Sequence, residues 1–371
     1  MKFAKGKYLQ IADKLRQEIL SGRYENVERF PSEVALSRRF DASRPTVERA
    51  LRALKQEGLL SARVGSGVFI TKYARQAGGT LAIIAPDYRR IDFFTRYCDM
   101  IVKFGREAGY AVQIGDDSVP DGCSRDEWIL AVANACVRHK VAGVLLEPVD
   151  LVARPHEATA AALRVFAKHG IPVVLLDRDC QPYPGRSSYD LIGIDNMQAG
   201  YRLGMHMIEV GAGRIRFLTQ SDYATTIEAR IHGVAMANYD RHRPRGAFDV
   251  IAVDSADPAG FERVIRSAAD VDAFICRNDS LAERLLETLK KLRRRVPGDV
   301  MVAGFDDAHG GSRFDPPLTT IRQPVDLLAA TAVETLLQRI RNPELAPRTV
   351  LLDARLVVRE STRPISEDKR R

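Results

Sequence analysis

From Thr80 to Phe305 the sequence alternates short, continuously apolar runs with longer amphipathic stretches, and few folds accept that pattern. Runs such as Thr80-Leu-Ala-Ile-Ile-Ala-Pro86 and Ile171-Pro-Val-Val-Leu-Leu-Asp177 have no polar face, the mark of a parallel strand covered on both sides. The stretch 94–109 carries Tyr97, Ile101, Phe104 and Ala108 in helical phase. Strands are expected at 80–86, 110–115, 141–146, 171–177 and 191–195, with helices at 94–109, 128–138 and 158–169. The alternation then repeats, with helices at 199–209, 226–240, 259–269 and 280–292 and strands at 214–218, 248–253, 273–276 and 301–305. A helix at 323–340 and a strand pair within 350–358 follow. The expected fold is α/β, two doubly wound lobes with a cleft at the carboxyl ends of their strands, where such sheets bind ligands.

The first 75 residues have another texture. Phe30 to Leu54 reads as two short helices joined by a tight turn. In the second, Ser43 has N-cap chemistry and Pro45 stands where the backbone N–H would be unpaired anyway. Val47, Ala50, Leu51 and Leu54 fall on one face, leaving Arg44, Thr46, Glu48, Arg49, Arg52 and Lys55 outside. An apolar back and a cationic front suit a helix lying in the DNA major groove. Alone, the segment is also compatible with an ordinary solvated surface helix; its flanks argue against that. Upstream, Ser32 and Glu33 start a helix whose Val34, Ala35, Leu36 and Phe40 are expected to pack on the next one. A first helix spans Tyr8 to Ser21, closed by Gly22, and 58–71 reads as strand, Gly-rich turn, strand. Two helices followed by a hairpin make a winged helix-turn-helix.

Charge follows the same division. Residues 1–75 hold 16 Lys+Arg against 8 Asp+Glu, whereas the remainder holds 40 of each, so the whole net charge of +8 sits on the segment expected to meet phosphates. Five widely spaced cysteines without Cys-x-x-Cys argue for reduced thiols rather than disulfides or zinc. No run approaches the ~18 apolar residues of a membrane span, and a polar helix rather than an apolar signal region follows Met1, so a cytoplasmic protein is expected. The seven histidines show no metal-pair spacing, and the common hydrolase, P-loop, zincin and dinucleotide motifs are missing; neither metal nor cofactor is expected, and no enzyme.

Six ordered motifs make residues 7–71 resemble the GntR family of bacterial transcription factors. They are Tyr8-Leu-Gln-Ile-Ala-Asp-Lys-Leu, Phe30-Pro-Ser-Glu, Ser43-Arg-Pro-Thr-Val, Ala50-Leu-Arg-Ala-Leu, Glu57-Gly-Leu-Leu and Gly65-Ser-Gly-Val-Phe. Val34 and Glu48 depart from the family, which usually has arginines at both places. The resemblance, with the charge pattern, implies operator contacts from Arg38, Arg39, Ser43, Arg44, Thr46, Glu48, Arg49 and Arg52, and from Arg63, Gly65, Ser66 and Gly67 of the wing. Glu48 either accepts from a cytosine amino group or braces Arg44 or Arg52.

Residues 79–363 resemble the LacI/GalR effector domain, which shares the fold of periplasmic sugar-binding proteins. The matching stretches are Gly193-Ile-Asp-Asn196 with Ala199-Gly200, Ala229-Arg-Ile-His-Gly233, Asn278-Asp279, Gly304-Phe-Asp-Asp307, Pro317-Leu-Thr-Thr-Ile321 with Gln323-Pro324, and Val357-Val-Arg-Glu-Ser-Thr362. The approach to Gly193 through Ser187 and Asp190 is longer than usual. Carried over residue by residue, the resemblance implies ligand contacts from Asp177, Arg230, Asn278 and Asp306, joined here by Asp87 and Gln323. Carboxylates that accept pairs of hydroxyls and an arginine fork that donates to others suit a sugar. Phe93, Phe94 and Tyr223 are candidates to cover its apolar face, and core packing is the other reading of the two phenylalanines. Helix capping is the other reading of Asp177 and Asp306 and the plain reading of Asn196, and a surface salt bridge is the other reading of Arg230.

The domains expected are a winged helix at 1–72, a linker at 73–79, an effector-binding and dimerisation domain at 80–363 and a disordered tail at 364–371. Lobe 1 is assigned 80–191 and 323–343, and lobe 2 is assigned 192–322 and 348–363. A ligand-responsive repressor results, binding double-stranded operator DNA as a homodimer and sensing a sugar or similar small polar metabolite, with no membrane partner. A carbohydrate-processing enzyme carrying a DNA-binding domain is the alternative.

Overall fold

A computed structural model describes residues 7–20, 23–24, 30–56, 59–63, 67–70, 79–86, 88–90, 92–115, 123–149, 157–182, 185–254, 256–307 and 313–362. Gly22, most of the expected linker and the tail at 364–371 lie outside these residues.

The N-terminal unit is built from α1 (Lys7–Leu20), α2 (Glu33–Phe40), α3 (Arg44–Gln56) and the antiparallel strands β1 (Leu60–Arg63) and β2 (Gly67–Ile70). Ser32 caps α2, its hydroxyl accepting from the Ala35 N–H at 3.3 Å, and Asp41 closes it in the left-handed region at φ 45°. Val47, Ala50, Leu51 and Leu54 of α3 are all buried, packed in one cluster with Ile11 and Leu15 of α1 and Leu36 of α2. Val34 and Ala35 were expected in that core but are exposed. At about 100° per residue they point roughly 200° and 100° away from Leu36, and an eight-residue helix has room for one apolar face.

The first lobe contains β3 (Thr80–Ile84), α4 (Asp92–Glu107), β4 (Ala111–Ile114), α5 (Arg125–Arg138), β5 (Gly143–Leu146), α6 (Ala158–Lys168), β6 (Val173–Leu176) and β7 (Asp190–Ile194). The second contains α7 (Asn196–Glu209), β8 (Ile215–Thr219), α8 (Thr225–Asp240), β9 (Phe248–Ala252), α9 (Pro258–Ser267), β10 (Ala273–Cys276), α10 (Asp279–Lys291) and β11 (Met301–Ala303). The chain returns through β12 (Thr320–Arg322), α11 (Val325–Arg341), β13 (Thr349–Leu352) and β14 (Arg355–Val357). The first sheet runs β13-β7-β6-β5-β3-β4 and the second β11-β10-β8-β9, both fully parallel. Every residue of β3, β5, β6 and β7 is buried, as continuous apolar runs require.

The expected division between lobes needs two corrections. Residues 192–194 belong to β7 and hence to the first sheet, not to lobe 2. The expected strand pair within 350–358 is two strands with different partners: β13 joins β7 in the first sheet, while β14 pairs antiparallel with β12. An apolar run identifies a buried strand without saying which sheet receives it. Contacts distant in sequence accompany this pairing: Arg339 Nη2 of α11 donates to buried Asp190 Oδ2 at 2.8 Å, and the Arg348 N–H donates to Asp190 Oδ1 at 2.8 Å.

α7 and α8 approach so closely that only glycine fits between them. A Cβ on Gly200 would fall inside van der Waals contact of the Arg230 carbonyl oxygen, and one on Gly233 inside contact of the Met197 carbonyl oxygen. This packing fixes the start of α7 against the middle of α8, and the cleft depends on it.

Candidate ligand cleft and nucleic-acid interface

Side chains at the carboxyl ends of both sheets converge on one polar cleft. On the first lobe, Glu147 follows β5 and Asp177-Arg178 follow β6. Arg178 Nη1 donates to Asp177 Oδ2 at 2.8 Å, and Nη2 donates to Glu147 Oε1 at 2.8 Å and to the Pro148 carbonyl at 2.6 Å. Burial pushes the Glu147 carboxyl up to about 7, against the pull of Arg178. Behind Asp177 lies the buried Tyr97 hydroxyl, which has no hydrogen-bond partner; burial, then the Asp177 charge, raises its pKa well above the ordinary phenol range.

On the second lobe Arg230 is the hub. Its Nε donates to Asn196 Oδ1 at 2.9 Å, its Nη1 donates to the Arg277 carbonyl at 2.8 Å, and its guanidinium carbon lies 3.5 Å from the centre of the Phe305 ring. Asp306, beyond β11, accepts from Gln323 Nε2 at 2.8 Å. Burial raises its carboxyl to about 6, opposed by Arg230 and Gln323 and reinforced by Asp177. Asp177, Asp306 and Asp307 have φ of 69°, 107° and 55°, a left-handed backbone that few non-glycine residues adopt. Strain of this kind concentrates at ligand sites.

Of the expected contacts, Asp177, Arg230, Asp306 and Gln323 are thus brought together. Asn278 adjoins them, but its side-chain oxygen caps α10 by accepting from the Leu281 N–H at 3.1 Å. Phe93 and Phe94 are buried in the first-lobe core, edge-to-face at 5.1 Å and packed on Tyr97; Tyr223 is half-buried against the same core. Asp87 lies outside the described residues. The cap expected at Asn196 is supplied instead by Asp195, whose side chain accepts from the Gln198 N–H at 2.8 Å. Asn196 is one residue into the helix, buried, and holds Arg230. Glu147, Arg178 and Arg277 were not anticipated. Glu147 and Arg277 stand immediately after an apolar strand and Arg178 two residues after one, and that position was the available signal.

The raised carboxyl makes a pH test. The native state binds a proton on Asp306 more tightly than the unfolded chain does, so from about pH 4 to about pH 6 this residue makes stability fall as pH rises. Glu147 has the same sign up to about 7. Urea unfolding at pH 4 and pH 7 is expected to show the difference between wild type and Asp306→Asn changing by roughly 1–3 kcal/mol, the wild type relatively favoured at pH 4.

At the other end of the chain, α3 presents Arg44, Glu48, Arg49 and Arg52 to solvent. Arg52 Nη2 donates to Glu48 Oε1 at 2.8 Å, so in the free protein Glu48 braces Arg52 rather than Arg44. Arg49 stacks over the Tyr8 ring at 4.0 Å. The Ser43 hydroxyl pairs with Thr46 Oγ1 at 2.8 Å. Arg38 and Arg44 are exposed, with no side-chain partner among the described residues. Arg39, expected at the DNA, is turned inward: its Nη1 donates to Glu18 Oε2 and to the Tyr24 hydroxyl, both at 2.8 Å. Glu18 is buried and needs a counter-charge, which outweighs a solvated place for Arg39. Gly67 opens β2 at φ 105°, while Gly65, Ser66 and the Arg63 side chain lie outside the described residues.

Residues 7–70 match the family described as bacterial regulatory proteins, gntR family, and residues 205–362 match the periplasmic binding protein-like domain. A segment similar to the gntR family thus precedes one similar to the periplasmic binding protein-like domain. Over nearly its whole length the chain is similar to the arabinose metabolism transcriptional repressor of Geobacillus stearothermophilus, 27% identical over 97% of this chain and 98% of that one. Two solved structures share the fold. A LacI family transcriptional regulator from Enterococcus faecium with bound ribose has a TM-score of 0.64 and 23% identity, covering 77% of this chain and 100% of its own. The CelR–cellobiose complex has a TM-score of 0.64 and 22% identity, covering 93% and 99%. No helix among the described residues is long and apolar enough to cross a membrane.

Proposed function

We propose that this protein is a ligand-responsive transcriptional repressor. Its winged helices bind operator DNA as a dimer, and its cleft senses a sugar or a similar small polar metabolite. The observation that carries the reading is the convergence of Asp177, Arg230, Asp306 and Gln323 on one cleft, in a chain whose N-terminal unit bears the whole basic excess. Free carboxylate oxygens accept hydroxyl pairs and the guanidinium donates to others. The full-length likeness to an arabinose metabolism repressor supports a sugar as effector. The exposed Met236 and Tyr239 of α8 and Leu327 of α11 supply apolar surface for a second copy to cover.

A ligand that bridges the lobes favours their closed arrangement and changes operator affinity by its preference between the two states, commonly ~1–3 kcal/mol. A thermal-shift panel of pentoses, hexoses and their derivatives, followed by operator titration with and without each hit, tests the reading. A hit that leaves operator affinity unchanged contradicts it.

Arg44, first in α3 and unpaired, is the expected base reader. Competition between duplexes varied one base pair at a time is expected to show Arg44→Ala losing roughly 1–3 kcal/mol of discrimination at one pair per half-site. Arg38→Ala is expected to weaken all duplexes alike, as loss of a phosphate contact does.

A further inference from the structure

We propose that Arg277 is the specificity determinant of the cleft and selects an effector that carries an acidic group, a carboxylate or a phosphate monoester, on its polyhydroxylated body. The inference rests on the reading of the cleft as the effector site.

Arg277 follows the last residue of β10, at the carboxyl end of the second sheet. Its backbone is fixed on both sides: its N–H donates to the Leu218 carbonyl at 2.9 Å, and its carbonyl accepts from Arg230 Nη1. Its side chain is half-buried, and Arg230 and Asp306 are the charged groups that act on it. No acceptor holds it. Nε is buried without a hydrogen-bond partner, and among the described residues the guanidinium has neither a hydrogen bond nor an ion pair.

The neighbouring carboxylates are engaged elsewhere. Asp307 is taken by Arg322 Nε and by Arg359 Nη2. Asp279 is buried and accepts from Thr320 Oγ1 at 2.7 Å. Asp306 faces Gln323, and Asp177 and Glu147 share Arg178. Of the three guanidinium groups here, Arg178 lies on the first lobe between two carboxylates, whereas Arg230 and Arg277 both lie on the second. A partly desolvated guanidinium whose buried Nε has no acceptor is unfavourable. A planar carboxylate or a phosphate supplies the paired acceptors its fork is shaped for. A neutral sugar would leave Arg277 as it stands.

Thermal shift and calorimetry on the full chain test this with three groups of probes: hexuronates and aldonates, pentose and hexose phosphates, and the neutral parent sugars. The expected result is that a carboxylate or a phosphate probe binds at least tenfold more tightly than its neutral parent. That preference should be lost in Arg277→Met and partly kept in Arg277→Lys. Whether uronates or phosphates bind identifies the source of the acidic group. Equal binding of acid and parent, or an acid preference that survives in Arg277→Met, overturns the proposal. Binding of a neutral sugar alone that Asp306→Asn abolishes overturns it while leaving the cleft as the effector site. If no probe is affected by either Arg277→Met or Asp306→Asn, or none binds, both readings fall.

Discussion

Replacing Arg230 by alanine is expected to destabilise the protein by about 2–4 kcal/mol and to remove its response to the effector. Arg230 is buried, and its removal leaves the Asn196 side-chain oxygen and the Arg277 carbonyl without their donor and the Phe305 face without its cation. The loss at Asn196 occurs away from water, where an unsatisfied group carries its full desolvation penalty, and the one at the part-buried carbonyl carries less. Lysine is expected to recover less than half, because a single ammonium cannot reach the amide and the carbonyl while also lying flat on the ring. Urea unfolding measures the first effect, and operator titration well below the unfolding midpoint measures the second. A stable, responsive Arg230→Ala variant would remove Arg230 from the centre of the cleft.

The second large effect is expected where α7 meets α8. Gly233→Ala places a methyl group against the Met197 carbonyl, and Gly200→Ala places one against the Arg230 carbonyl. Backbone atoms of two packed helices cannot step aside as a flexible side chain can, so the helices must separate. Each variant is expected to lose roughly 3–5 kcal/mol, at the upper end of overpacking effects. Because Asn196 begins α7 and Arg230 lies on α8, whatever folded protein remains should bind effector poorly. Thermal unfolding of both, with Ala229→Gly as a helix-propensity control, measures this. A loss no larger than the control's would mean that the close approach is not structurally important.

Local signals were well legible in the sequence. The 3.6-residue spacing of Val47, Ala50, Leu51 and Leu54 identified the buried face of α3, and the apolar runs located nearly every strand of the two sheets, because both patterns report contacts within an element or across one sheet face. Pairings between distant residues were not legible. Glu18 and Arg39 are 21 residues apart and Asp190 and Arg339 are 149 apart, and nothing in either neighbourhood marks them as partners. The first pairing took an arginine away from the DNA surface, and the second lies beside the junction of β7 with β13, the strand expected in the other lobe. In the cleft, three of the residues carried over by resemblance, Asp177, Arg230 and Asp306, fall together, while Asn278 caps α10. Their supports Asn196, Arg178 and Glu147 look in sequence like ordinary cap or loop residues, since a supporting role is defined by what it holds in space.

The most direct test of coupling between cleft and recognition helix is fluorescence anisotropy of a labelled operator, selected by the protein itself from random duplexes. It is titrated with the tightest thermal-shift ligand, on wild type and on Asp306→Asn. The expected result is equal operator affinity of the two proteins without ligand and a shift of about fivefold or more in wild type at saturation. In Asp306→Asn the same shift should need at least tenfold more ligand. An operator affinity that ignores the ligand in wild type, or an Asp306→Asn variant that responds at wild-type concentrations, would contradict the account.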